Sequence, residues 1–259
     1  MNKAKAIQQE KANPNHDVIT LLDPSSHISE AYRRIKVGIE FSSVDNINKV
    51  IQITSSNQGE GKTLTLLNIA VTFAEDDKKV LIIDMDLRRP EIHHAFKAVN
   101  KDGLTDYLGN DLPLSTLIKH SKNKNIDFIN SGSKVPYPLK MLNSTKLKDL
   151  MKVLRDKYDY IFIDCPPILV VSDALIVSRF SDSCIFVVSQ IFSDRKSSID
   201  AVKYLKNNHV NVLGAVFTNV TRKNSDYTSY YYQYDHYYKH YDESPKNKKS
   251  SNTTREVSK

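Results

Sequence analysis

The chain has 259 residues and a formal net charge of +7, from 37 Lys and Arg against 30 Asp and Glu. That length suits one sizeable α/β domain and excludes a mini-protein that needs covalent staples. Two cysteines, Cys165 and Cys184, exclude a disulfide framework and point to a reducing, cytoplasmic compartment, while the start MNKAKAIQQEKANPNHD lacks a secretory apolar stretch and no run approaches the ~18 apolar residues of a membrane span.

In chain order, residues 1–24 read as an extended, loosely attached N-terminal extension. Ser29–Phe41 (SEAYRRIKVGIEF) has the spacing of an amphipathic helix, with Ser29 or Ser26 as N-cap. Lys49–Thr54 reads as a buried strand and Thr63–Glu75 as a helix, with two of the chain's 7 glycines, Gly59 and Gly61, between them. The alternation continues through strand Lys79–Asp84, helical stretches in 91–120, strand Ile126–Ile129, helix Ser144–Asp156, strand Tyr158–Asp164 and helix Ser172–Phe180. It closes with strand Ser183–Ser189, helix Asp194–Asn207 and strand Val210–Phe217. This pattern predicts an α/β domain over 25–220, a mostly parallel sheet with helices on both faces, whose ligands sit at the C-terminal strand ends. Beyond Val220 only Val257 is aliphatic, so 221–259 cannot bury a core and is expected to be disordered in isolation.

Residues Ser56, Asn57, Gln58, Gly59, Glu60, Gly61, Lys62 and Thr63 match the phosphate loop G-x-x-x-x-G-K-[ST], except that Ser56 replaces the first glycine. Lying between strand and helix, the loop's N–H groups and the helix N-terminus converge on one anion. In this reading Lys62 contacts the β/γ-phosphates and Thr63 ligates Mg²⁺. Asp84 and Asp86 follow the second strand and Asp164 ends a later one. A single strand-end carboxylate is usually a cap, but three at one sheet edge supply oxygen ligands for a metal–phosphate complex and a proton acceptor.

Eight tyrosines, Tyr227, Tyr230, Tyr231, Tyr232, Tyr234, Tyr237, Tyr238 and Tyr241, crowd 15 positions of the tail. That composition suits phosphoacceptors, stacking on nucleic acid or self-association. The histidines show no metal-ligand spacing, and the cysteines read as core thiols.

Together, the phosphate loop, Asp84-x-Asp86 with its LRRP, and FIDCPP resemble the Walker A, A′ and B motifs of the bacterial tyrosine kinases of capsular and exopolysaccharide systems. The resemblance spans about residues 20–241, including LLDPSSHISEAYRRIK and GLTDYL. It implies a P-loop NTPase fold with ATP and Mg²⁺, and nucleotide contacts along Ser56–Thr63. The base contact falls on Asn219 or the adjacent Thr218. Mg²⁺ contacts fall on Thr63, Asp84 and Asp164, and transfer is carried by Lys62, Asp84, Asp86 and Asp164, with Asp84 the favoured base. The tail tyrosines become acceptors phosphorylated in trans.

The family's Glu-x-x-Arg-x-x-Arg assembly motif falls on Glu30, Arg33 and Lys36, where Lys36 keeps the charge but loses the planar fork. An exposed charged helix face is the plainer reading of these three. The resemblance further implies a ring-like homo-oligomer, a transmembrane activator or chain-length protein that recruits the chain to the inner face of the cell membrane, and an opposing tyrosine phosphatase. No nucleic-acid partner is expected. Two other functions compete. A partitioning-type positioning ATPase resembles K-G-G-x-G-K-[ST], but Asn57, Gln58 and Gly59 lack its extra lysine. A basic scaffold needs more than the tail's charge of +3 (8 basic, 5 acidic after Val220).

Overall fold

The computed structural model describes residues 18–42, 48–110 and 112–220. The tail and its eight clustered tyrosines lie outside the described residues. Seven strands, β1 (Val50–Ser55), β2 (Val80–Asp84), β3 (Lys119–His120), β4 (Ile126–Ile129), β5 (Tyr160–Asp164), β6 (Ser183–Ser189) and β7 (Val212–Thr218), form one sheet in the order β3-β4-β2-β5-β1-β6-β7. Every pairing is parallel except β3 with β4.

The central strands read as continuous apolar runs because both faces are covered. Ile51 and Ile53 share a buried cluster with Leu66, Ile69 and Phe73 of helix α3 (Lys62–Ala74) and Ile39 of α2 (His27–Phe41). Val50, Leu81 and Ile163 point the other way. They pack with Leu150 and Leu154 of α8 (Thr145–Lys157), Val177 of α9 (Asp173–Val177) and Leu205 of α10 (Arg195–Asn207). Each such fully buried side chain contributes about 1.5–3 kcal/mol. Short helices α4 (Ile92–Ala95), α5 (Leu104–Gly109), α6 (Leu114–Leu117) and α7 (Pro138–Leu142) occupy the connections. All parallel strands point one way, so the segments following β1, β2, β5, β6 and β7 meet at one edge.

Three local expectations are corrected. Residues 18–24 are not loosely attached: Ile19–Leu22 form a one-turn helix, α1, in which Thr20 is buried and donates its N–H and Oγ1 to Asn68 Oδ1, both at 3.0 Å. Ser29 Oγ also reaches Asp23 O at 2.7 Å, which leaves Ser26 as the N-cap of α2. The stretch 91–120 carries the expected helical stretches, α4, α5 and α6, but ends in strand β3, and α7 lies in a segment given no element. Pairs as short as β3 carry no periodicity; only the neighbouring strand specifies them.

Candidate active site

The phosphate loop leaves β1 at Ser55 and enters α3 through Gly61, whose φ of 88° is the left-handed conformation that glycine adopts without strain. No side chain caps α3, so its first-turn N–H groups are left to an anion. Lys62 and Thr63 follow on the first turn, half-buried. Glu60 departs from the expected ligand role. Its side chain is fully buried and accepts from Ser56 Oγ at 2.7 Å, Asn57 N at 3.0 Å and Ser193 Oγ at 2.5 Å. Gln58 lies on the outer side, accepting from Arg89 Nη1 at 2.7 Å.

The three aspartates meet beside this loop. Asp84 and Asp164 are direct partners in the β2–β5 register, and Ile53 pairs with Asp164 across β1–β5. Thr63 Oγ1 donates to Asp164 Oδ2 at 2.6 Å. Asp164 Oδ1 is buried with no hydrogen bond among the described residues. Burial pushes the Asp164 carboxyl up to about 6, against the pull of the Lys62 ammonium and the Thr63 hydroxyl. Asp84 accepts from Glu91 N and Ile92 N at 3.1 Å on Oδ2 and from Asp86 N at 3.2 Å on Oδ1. Desolvation, then the charge of Asp164, holds Asp84 well above the ordinary carboxylate range. Asp86 is also raised by burial, while its Oδ1 accepts from Arg88 N at 3.2 Å and Arg89 N at 2.9 Å.

These donors fit a hard divalent cation. A buried hydroxyl–carboxylate pair with an oxygen left over suits Mg²⁺, which keeps most of its shell as water and substrate phosphate. Among the described residues no group of three or more His, Cys, Asp or Glu forms a ready cation cage, so substrate oxygens have to complete the shell.

Other assigned residues fall differently. Asn219 stands just past β7 with φ 52°, and its Nδ2 donates to Ser189 Oγ at 3.0 Å. Thr218 Oγ1 donates to Glu60 O at 2.7 Å. Arg33 forks onto Glu75 at 2.9 and 3.1 Å and reaches Pro24 O at 2.9 Å; Glu30 lies 3.6 Å from it. Lys36, 8% exposed, pairs with Asp76 and lies 5.7 Å above the Phe73 ring. Arg33 and Lys36 thus fasten α2 to the end of α3 within one chain, and Lys36 is not part of an open charged face.

A family model described as "AAA domain" matches residues 48–208. Tyrosine-protein kinase YwqD of Bacillus subtilis (strain 168) is 38% identical over 216 residues, covering 83% of this chain and 90% of that protein. The chain belongs to the bacterial tyrosine-kinase family. Tyrosine-protein kinase etk of Escherichia coli (strain K12) is 30% identical over 86% of this kinase and 31% of its own length. The solved kinase domain of Escherichia coli ETK superposes with a TM-score of 0.76 at 30% identity, covering 80% and 82% of the two chains. The kinase's P-loop fold implies nucleotide binding, and no helix among its described residues is long and apolar enough to cross a membrane.

Two features of the kinase site escape sequence reading. Arg88 forks onto Asp173 at 2.9 and 3.2 Å, and the Asp173 side chain is fully buried. This joins the turn after β2 to the segment after β5. The LRRP that follows Asp86 hints at an arginine near the phosphates, but nothing local marks Asp173 as its partner. Ser193 carries no sequence signal at all, because its role depends on β6 lying beside β1.

Proposed function

We propose that this kinase transfers the γ-phosphoryl group of ATP to its own C-terminal tyrosines, mostly on a neighbouring copy, and so regulates capsule or exopolysaccharide synthesis. The observation that carries this reading is the crowding of eight tyrosines, Tyr227 to Tyr241, into one short segment of a tyrosine kinase. The loop 56–63 is assigned to the phosphates through its later backbone N–H groups, Lys62 and Thr63, with the Ser56 and Glu60 side chains turned into the protein, and Asn219 is assigned to the base. Thr63, Asp84 and Asp164 are assigned to Mg²⁺, which supplies charge neutralisation between the β- and γ-phosphates. In the transfer, a tyrosine oxygen bonds the γ-phosphorus as the bond to the ADP oxygen breaks, and the phenol proton passes to the Asp84 carboxylate. The raised Asp84 carboxyl is a stronger acceptor in its ionised form than an ordinary aspartate, and Asp86 flanks it. Lys62 stabilises the charge that develops on the phosphoryl oxygens.

Glu30 and the α2 surface around it are assigned to the edge of a ring-like homo-oligomer, with α2 presented rigidly by the ties that Arg33 and Lys36 make to the end of α3. A transmembrane activator recruits the assembly to the inner membrane face, and a phosphatase resets the tail. The test incubates the purified chain with ATP and Mg²⁺ and detects phosphotyrosine. Lys62→Met is expected to lower the signal at least ~100-fold while leaving the thermal midpoint unchanged; strong residual signal overturns the assignment. Phosphate appearing on the Lys62→Met chain when it is mixed with an active chain lacking 221–259 establishes transfer between copies.

A further inference from the structure

Glu60 belongs to the phosphate loop by position, yet its carboxylate is fully buried. A dehydrated carboxylate is costly unless its lone pairs are satisfied. Three neutral donors satisfy this one: Ser56 Oγ and Ser193 Oγ on Oε1, and the Asn57 N–H on Oε2. Ser193 is itself held in place, since its Oγ accepts from Ser189 N at 2.7 Å and its N–H donates to Ser189 O at 3.0 Å. The carbonyl of Glu60 accepts from Thr218 Oγ1 at 2.7 Å. The loop is therefore tied through one residue to the segment following β6 and to the end of β7.

A second observation comes from the motif. Position 56 holds serine where the phosphate-loop pattern has glycine, and that serine is fully buried with its hydroxyl on Glu60. The departure from the motif and the buried acid are two ends of one bond.

We infer that Glu60 is a positioning residue for nucleotide binding, a strut that with Ser56 and Ser193 sets the anion-binding shape of a loop lacking its first glycine. The carboxylate does not touch the phosphates, which it would repel. It acts by aiming Ser56 and the Asn57 N–H inward, so that the later N–H groups of the loop and Lys62 face the ligand. This role rests on reading 56–63 as the nucleotide loop.

The test measures ADP·Mg²⁺ affinity by calorimetry, alongside the ligand-free thermal midpoint, for the full chain and for Glu60→Gln, Ser193→Ala, Ser56→Gly, Glu60→Ala and the Ser56→Gly/Glu60→Ala double variant. Glu60→Gln and Ser193→Ala are each expected to weaken ADP about tenfold, the range of a hydrogen bond to a charged group, with small changes in midpoint. Ser56→Gly is expected to recover part of the Glu60→Ala loss, because it removes the hydroxyl left unpaired. Affinity within twofold of the parent in both Glu60→Gln and Ser193→Ala, a lowered midpoint without an affinity change, or additive losses in the double variant would each overturn the strut. Should Glu60→Gln fail to fold, Ser193→Ala, which deletes one half-buried hydroxyl, decides alone. No ADP binding by the unsubstituted chain overturns the nucleotide reading and this role together. Normal binding by the parent with unaffected variants overturns this role only.

Discussion

Two loop systems stand at the same sheet edge and are built in opposite ways. The phosphate loop after β1 is held by side chains: Glu60 accepts from Ser56 and Ser193, and the atoms nearest to a Cβ added at Gly61 would be those of the Thr218 side chain, no nearer than 3.4 Å. The crossed segments 100–106, after α4, and 130–133, after β4, are held by their own main-chain N–H groups, which donate to backbone carbonyls and to the Asn100 and Asp106 side chains. There Leu104 N donates to Asn130 O and Thr105 N to Ser131 O, both at 2.8 Å, and a Cβ on Gly103 would lie 2.3 Å from Gly132 N. Apart from Asn57 N, which donates to Glu60 Oε2, the first arrangement leaves the loop amides to a ligand; the second uses up those of Gly103, Leu104, Thr105, Gly132 and Ser133. A loop that binds has to be braced from the side, because its main chain is reserved for the ligand.

The sharpest way to break this contrast is Gly103→Ala. Its methyl meets backbone that cannot yield, so about 3 kcal/mol or more of stability should be lost, read as a large drop in the urea midpoint. Gly61→Ala meets no such wall and should cost only the ~1–2 kcal/mol of a strained left-handed alanine, while weakening ADP binding. Equal losses in the two variants would remove the distinction.

A smaller effect is expected at the Arg88–Asp173 ion pair. Arg88→Ala leaves the Asp173 carboxylate buried without the partly exposed guanidinium that binds it, which should cost about 2–3 kcal/mol and lower phosphotransfer by freeing the turn that carries Asp86. Replacing Asp173 by alanine in the same chain should return much of that stability, since no buried charge then remains; a purely additive loss would show that the pair does not act as a clamp.

The smallest effect is a pH dependence in the closed system. Burial pushes the Asp106 carboxyl up, but the hydrogen bonds it accepts from Ser133 and from Gly103 N outweigh that and hold it below the usual range. A carboxyl lowered in the folded state adds stability above its unfolded pKa of about 3.9, and that stability is lost as pH falls through the folded value. Asp106→Asn should therefore be less stable than the parent at pH 7, with the gap closing in acid. A gap that persists unchanged in acid would show that charge is not what Asp106 contributes.

What could be read from the residues alone was everything set by local pattern. The runs KVIQIT, KVLIID and YIFID mark central strands because parallel strands covered on both faces have to be apolar throughout. A strand–loop–helix run likewise depends on residues adjacent in the chain, so the placement of Lys62 and Thr63 at a helix start and of Asp84 and Asp164 at strand ends was legible. Strand order, burial and side-chain partners belong to the tertiary structure. Thr20 finds Asn68 and Arg88 finds Asp173 across 48 and 85 positions. Lys36, a surface cation by sequence, is covered because Asp76 and Phe73 lie under it. Glu60, a nucleotide-loop residue by sequence, turns its side chain inward because β6 places Ser193 beside β1. A residue's own chemistry fixes what it can donate or accept, but the partner that makes the bond is supplied by another strand, and only the fold brings that strand within hydrogen-bonding distance.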